Sequence, residues 1–279
     1  MHETMIADYH VHTPYCGHAR GKTIQYAERA VELGLDELCF TDHLGRYYLS
    51  RSQRRRYWDW GIDGAKLERY IAELEDIEAL FAGTLTVKTG LEADFVEGAE
   101  ELLEPLLDRF PLDFVLGSVH CLPRFGWHHL TRYARKPPED LYREYLTCAQ
   151  AAAASGLFDS LAHLDFIWRY VPWPAALTDE IRARIDDIVA AAKASGTAVE
   201  VNANGYLWST LSPEDGPNPF GHMAACIARH GAVVTLGSDA HSPAAVGAAF
   251  DEIVPYLANR GISAYRLYRH REARTVALG

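Results

Sequence analysis

Little in this chain of 279 residues is suited to a large anionic partner. Basic residues are in deficit, with 27 Lys and Arg against 38 Asp and Glu. The formal charge of −11 argues against a nucleic-acid groove or an anionic membrane surface as the main partner. No run approaches the roughly 18 apolar residues of a transmembrane helix. Residues 1–10 have neither the basic region nor the apolar segment of a signal peptide. Only five cysteines occur, Cys16, Cys39, Cys121, Cys148 and Cys226, with no CxxC pair. An odd, scattered set reads as reduced thiols in a cytoplasmic protein rather than as a disulfide framework. Internal repeats, low-complexity tracts and Pro/Gly/Ser linkers are also missing. Residues 1–279 therefore read as one domain, and 48% hydrophobic residues suffice for a sizeable core.

What is present is alternation. Short apolar runs at 5–10, 37–41, 86–92, 114–120, 160–163, 198–202 and 233–238 read as buried strands. Amphipathic patterns at 24–33, 65–81, 99–107, 138–154, 178–194 and 221–229 read as helices, most of them stopped by a glycine such as Gly34, Gly83 or Gly196. Thr178 with Asp179 and Glu180 has the character of an N-cap followed by acidic first-turn residues. Repeated βα units with right-handed crossovers predict an α/β fold of parallel strands closing into a barrel.

Metal-competent side chains recur at the ends of the predicted strands. His10 and His12 are two apart on one strand, so both imidazoles face the same side. His18, Asp42-His43, Glu92, His120, His163 and Asp239-Ala240-His241 follow along the chain. Each of them alone also has a structural reading, as a hydrogen-bonded histidine, a salt-bridged carboxylate or a turn cap. In a parallel barrel, however, the loops leaving the C-terminal strand ends share one mouth. Imidazoles and carboxylates gathered there suit several divalent cations, and clustered cations suit phosphate-ester hydrolysis. A carboxylate bridges two cations readily, which marks Glu92 as the expected shared ligand. Asp8 has the parity to orient a ligand from behind.

The sequence resembles the PHP-domain (polymerase and histidinol phosphatase) family. The matching phrases are DYHVHT at 8–13, CGHA at 16–19, FTDH at 40–43, GLEADF at 90–95, DFVLGSVH at 113–120, FDSLAHLDF at 158–166, EVNANG at 200–205 and LGSDAHS at 236–242. GLEADF and GSVH are closest to the histidinol-phosphate phosphatase branch. The resemblance implies a distorted (β/α)7 barrel with a metal site at the C-terminal ends of the strands. It implies three divalent ions (Zn, Mn or Fe): one on His10, His12, Glu92 and Asp239, one on Glu92, His120 and His163, one on His18, His43 and His241. Glu92, Asp239 and His120 would be catalytic, and a hydroxide held between two ions would attack the phosphate.

L-Histidinol phosphate is thus the expected substrate, in histidine biosynthesis. One departure keeps a different phosphomonoester open. The branch generally carries a phosphate-binding arginine where this chain has Leu207, in Gly205-Tyr206-Leu207-Trp208. Arg169 stands where the family offers a second basic residue. Arg132, Asn204 and Trp208 are the other expected substrate contacts, and Arg124 or the run Arg54-Arg55-Arg56 are further sources of positive charge. Trp58, Trp60, Trp127 and Tyr206 offer aromatic surface in mouth loops or, as plainly, packing between them. A phosphodiesterase or nuclease and a non-catalytic metal-binding module are the remaining alternatives. The net charge weighs against the first, and the full ligand set against the second.

Overall fold

Every residue of the strand Ala7–Val11 is buried, and so is every residue of Glu37–Leu44, Phe114–Ser118, Ala198–Asn202 and Val234–Gly237. Such strands need cover on both faces, which a parallel sheet with an outer helical layer provides. The computed structural model describes residues 5–54, 61–127, 129–132, 136–211 and 219–278. In it seven strands pair in parallel in chain order: β1 (Ala7–Val11), β2 (Glu37–Leu44), β3 (Thr86–Asp94), β4 (Phe114–Ser118), β5 (Ser160–Leu161), β6 (Ala198–Asn202) and β7 (Val234–Gly237). The ring closes beyond β7, where the His12 N–H donates to the Ala240 carbonyl at 2.9 Å and the Ala240 N–H donates to the His10 carbonyl at 3.2 Å. This is the distorted (β/α)7 barrel expected from the sequence. Its distortion is visible in β5, only two residues long, and in a register shift between Asp8 and Val11 where β1 meets β2.

Helices Thr23–Glu32, Gly64–Phe81, Glu100–Asp108, Pro138–Ala154, Thr178–Ser195 and Pro219–His230 occupy the crossovers within two residues of their predicted bounds. Gly196 ends its helix in the left-handed region, at φ 82°, and donates its N–H to the Lys193 carbonyl, as a glycine stop does. Thr178 differs from expectation. It lies inside the helix, and its hydroxyl accepts from the Trp173 indole and donates to the Ala175 carbonyl instead of capping. Three strands also end earlier than the sequence pattern predicts. β4, β5 and β7 stop before His120, His163 and Asp239, so these side chains stand on the first residues of the mouth loops. Among the described residues, no helix is long and apolar enough to cross a membrane.

Beyond residue 242 the structure adds a helix, Phe250–Ala258, and an antiparallel hairpin, β8 (Ala264–Arg269) with β9 (Glu272–Ala277). The hairpin covers the barrel end opposite the mouth. The Tyr268 N–H donates to the Tyr9 hydroxyl at 2.8 Å, Tyr9 donates on to Glu37 at 2.7 Å, and the Tyr268 hydroxyl donates to the Asp159 carbonyl at 2.9 Å. Tyr268 and Tyr9 both pack on Phe114, with ring centroids 5.0 Å away in each case. The tight turn needs positive φ at His270 (51°) and Arg271 (63°), conformations a side chain disfavours. It is held because both backbone N–H groups donate to Asp113 and the Arg271 guanidinium grips Asp159 and the Leu157 carbonyl. Replacing Tyr268 with Ala is expected to cost about 3–5 kcal/mol, as for other large aromatic truncations. Urea unfolding measures it, and a loss under about 1 kcal/mol would contradict a sealing role for the hairpin.

Candidate metal centre

All seven predicted histidine ligands and both carboxylates converge at the mouth. Glu92, fully buried at the end of β3, lies at their centre. Its Oε2 is 3.4 Å from His10 Nε2, 3.5 Å from His12 Nε2 and 2.6 Å from His43 Nδ1. Its Oε1 is 2.9 Å from His163 Nε2 and 3.3 Å from His120 Nε2. One carboxylate therefore presents a separate oxygen to each of two imidazole groups. Asp239 closes the first group, with Oδ1 at 3.2 Å from His12 Nε2 and 3.6 Å from His10 Nε2. It adopts φ 56°, which Asp tolerates better than most residues, one position before the Ala240 bridge to β1. His18, His43 and His241 form a further group, its donor atoms within 4.8 Å of one another.

A layer of acceptors fixes these rings. Glu200 Oε1 lies 2.6 Å from His10 Nδ1, and its Oε2 accepts from the His163 N–H at 2.6 Å and Asn202 Nδ2 at 3.2 Å. Asp94 Oδ1 lies 2.8 Å from His120 Nδ1, while its other oxygen pairs with the buried Arg46 guanidinium. Carboxylates on Nδ1 keep the proton there and turn the Nε2 lone pairs inward. Inside, those lone pairs meet other acceptors: His10 Nε2 and His12 Nε2 are 3.0 Å apart, and His18 Nε2 and His241 Nε2 are 2.8 Å apart. Lone pairs aimed at lone pairs in a buried space call for cations between them, so the donor set fits divalent metal ions.

Electrostatics agree. Burial favours a neutral Glu92, but His43, His120 and His10 outweigh it and hold its pKa well below the ordinary carboxylate range. Burial likewise opposes a charge on His12, yet Asp239 and Asp42 push it up to about 9. His241 goes the other way, down to about 3, through burial and repulsion from His12. Protons alone satisfy this cluster unevenly.

Glu200 and Asp94 were not singled out from the sequence, although each left a signal. Glu200 is a charge inside the apolar run AVEVN, and Asp94 shares the strand parity of Glu92. A Cβ on Gly237 would run into the Glu200 carboxylate and the His10 Cβ, so this closeness needs glycine there. Asp8 holds backbone rather than a ligand ring, accepting from the N–H groups of His10, Ser238 and Gly247.

The cluster floors a cavity of about 990 Å³ whose lining includes Arg169 and Asn204, as expected. Asn204 Nδ2 donates to Asp239 Oδ2 at 3.0 Å, and an Arg169 Nη lies 3.5 Å from the same oxygen. Arg132 and Trp208 are not among the described lining residues. Arg132 is exposed at the end of the turn Leu130–Arg132, and Trp208, 46% exposed, stands one helical turn beyond Asn204. Arg124 is turned to Glu144, Tyr206 packs on Phe220 and Tyr256, and Trp127 packs beside Leu49 and Val96. Arg54 is exposed; Arg55, Arg56, Trp58 and Trp60 lie outside the described residues. Arg20, Lys66, His129 and Tyr170 line the cavity without having been picked out, because nothing in their local sequence marks a mouth position.

Residues 8–204 match the family model described as the PHP domain. A probable histidinol-phosphatase of Deinococcus radiodurans is 36% identical over 274 residues, 96% of this chain and 98% of that protein. The histidinol-phosphatase of Bacillus subtilis is 26% identical, over 88% of this chain and 96% of that one. The crystal structure of histidinol phosphate phosphatase from Lactococcus lactis, complexed with Zn, L-histidinol and phosphate, superposes with a TM-score of 0.77 at 21% identity, covering 98% of this chain and all of that one.

Glu200 accepts from three donors, and a glutamine must turn its NH2 toward one of them. Glu200→Gln is therefore expected to weaken divalent-ion binding by about 10–100-fold, the range for groups that orient ligands. Calorimetric titration measures it, and unchanged affinity would show that His10 needs no partner.

Proposed function

This chain belongs to the PHP-domain family, and from that membership we propose that it is a metal-dependent phosphomonoesterase that hydrolyses L-histidinol phosphate to L-histidinol and phosphate. The observation that carries the hydrolase reading is Glu92, whose two oxygens face two separate imidazole groups. The substrate reading rests on the similarity to histidinol-phosphatases along almost the whole chain.

His10, His12, Glu92 and Asp239 would hold one ion, Glu92, His120 and His163 a second, and His18, His43 and His241 a third. Zn, Mn and Fe all suit imidazole and carboxylate donors, and availability selects among them. Ions held there supply positive charge against the phosphoryl oxygens and acidify water to a pKa of roughly 7 in favourable sites.

The protein's own side chains do the rest. Arg169, laid against the rings of Phe166 and Tyr170, offers the cavity a fixed guanidinium beside Asp239. It takes the phosphate charge that the family's other arginine, replaced here by Leu207, would share. Arg20 and Lys66 add positive charge to the same cavity. His129 stands edge-on to Phe166, centroids 5.6 Å apart, and with Tyr170 makes an aromatic wall for a ring-bearing leaving group. Asn204 keeps Asp239 aimed at His12. Leu207 also favours a second reading, the same chemistry on another small phosphomonoester.

Metal-reconstituted protein is expected to hydrolyse L-histidinol phosphate in preference to nucleotide and sugar monoesters, and to leave single-stranded DNA intact. A preference for another monoester would support the second reading, and DNA cleavage without monoesterase activity would overturn both. Glu92→Ala and His120→Ala are each expected to lose metal and at least about 10²-fold in kcat. Near-normal turnover of the preferred monoester by either variant would remove the shared-carboxylate mechanism.

A further inference from the structure

One group of donors at the mouth contains sulfur. His12, Cys16 and His241 have donor atoms within 4.8 Å of one another, and Cys16 belongs to none of the nitrogen and oxygen groups described above. Its position is built by the chain. Thr13 accepts the Tyr15 N–H at the start of the turn Pro14–Cys16, and Gly17, at φ 88°, ends it. The thiol is thereby turned inward, 3% exposed, against the same cavity as the metal cluster. A buried thiol beside two imidazoles is soft-ligand chemistry amid otherwise harder donors.

A second observation points the same way. The other ring nitrogens of His10 and His120 have carboxylate partners, and those of His18 and His241 face the carbonyls of Cys16 and Asp239. His12 Nδ1 is fully buried and, like His163 Nδ1, has no hydrogen-bond partner. The nearest carboxylate, Asp42, is 3.7 Å away, and its oxygens already accept from the Thr13 N–H and hydroxyl. The unpartnered nitrogen therefore belongs to the same ring that stands beside the Cys16 thiol.

We propose that His12, Cys16 and His241 form an additional, sulfur-containing site for a thiophilic divalent ion, and that its occupation inhibits the enzyme. On binding, a sulfur–metal bond replaces the S–H bond and the thiol proton leaves to solvent. His12 and His241 each belong to another group at the mouth. An ion gripped by Cys16 draws both imidazoles from the arrangement that holds the phosphate-binding ions. Hard ions such as Mn2+ have little affinity for the thiolate and do not compete this way.

The test adds Cd2+ to the metal-loaded full chain and reads the ultraviolet sulfur-to-cadmium charge-transfer absorption. That readout is independent of the proposed hydrolase activity. A band is expected in the wild type and a weaker one in Cys16→Ser and Cys16→Ala, with the remaining signal from the other four cysteines. A band of equal strength in all three proteins, or none in the wild type, overturns the site. A second arm rests on the hydrolase reading: inhibition of L-histidinol phosphate hydrolysis by excess Cd2+ or Zn2+ weakens at least roughly tenfold in both variants. Loss of the Cys16-dependent band with unchanged inhibition overturns the inhibitory role. Should both variants lose native circular dichroism, X-ray absorption of cadmium on the wild type decides. Sulfur together with two imidazoles in its shell supports the site, and a shell without sulfur or with fewer than two imidazoles overturns it.

Discussion

A carboxylate with no access to water, ringed by five imidazole nitrogens, is the constraint around which this molecule is arranged. Glu92 cannot keep its charge in that position without cations or protons close by. The nearest nitrogens are contributed by β1, by β2 and by the residues just past β4 and β5. No pair of neighbouring elements suffices, so the centre exists only when the barrel is closed. Closure, in turn, is made at the site itself, where the backbone of His10 and His12 bonds to Ala240 between two more candidate ligands.

Support for the centre extends outward in layers. Glu200 and Asp94 set the rings of His10 and His120, Arg46 neutralises Asp94, and Asp8 ties the His10 backbone to that of Ser238. At the far end the β8–β9 hairpin joins Tyr268, Tyr9 and Glu37 in one hydrogen-bonded chain. Rigidity at the bottom and openness at the top suit a scaffold that keeps its donors fixed while small molecules enter.

Much of this was legible in the sequence, for physical reasons. Both-sided burial makes parallel strands nearly continuous apolar runs, so the seven strands and six crossover helices stood out. Functional side chains at strand ends interrupt those runs, which is why His10, His12, His43, Glu92 and Asp239 could be read together. The C-terminal hairpin was not seen because its partners, Tyr9, Asp113 and Asp159, are far away in the chain. Arg132 and Trp208 are absent from the described lining, since proximity to a ligand in sequence does not give the direction of a side chain on a turn or helix. Arg20 and Lys66 were missed for the converse reason, since only the closed barrel brings them to the cavity. Leu207, where the resemblance leads one to expect an arginine, sharpens interest in Arg169.

The sharing of Glu92 between cations is tested most directly by a crystal structure of the metal-loaded protein with anomalous scattering recorded at the metal edge. The account predicts two anomalous peaks against Glu92, one at each carboxylate oxygen, with a third among His18, His43 and His241. A single peak at Glu92, or none, would contradict it.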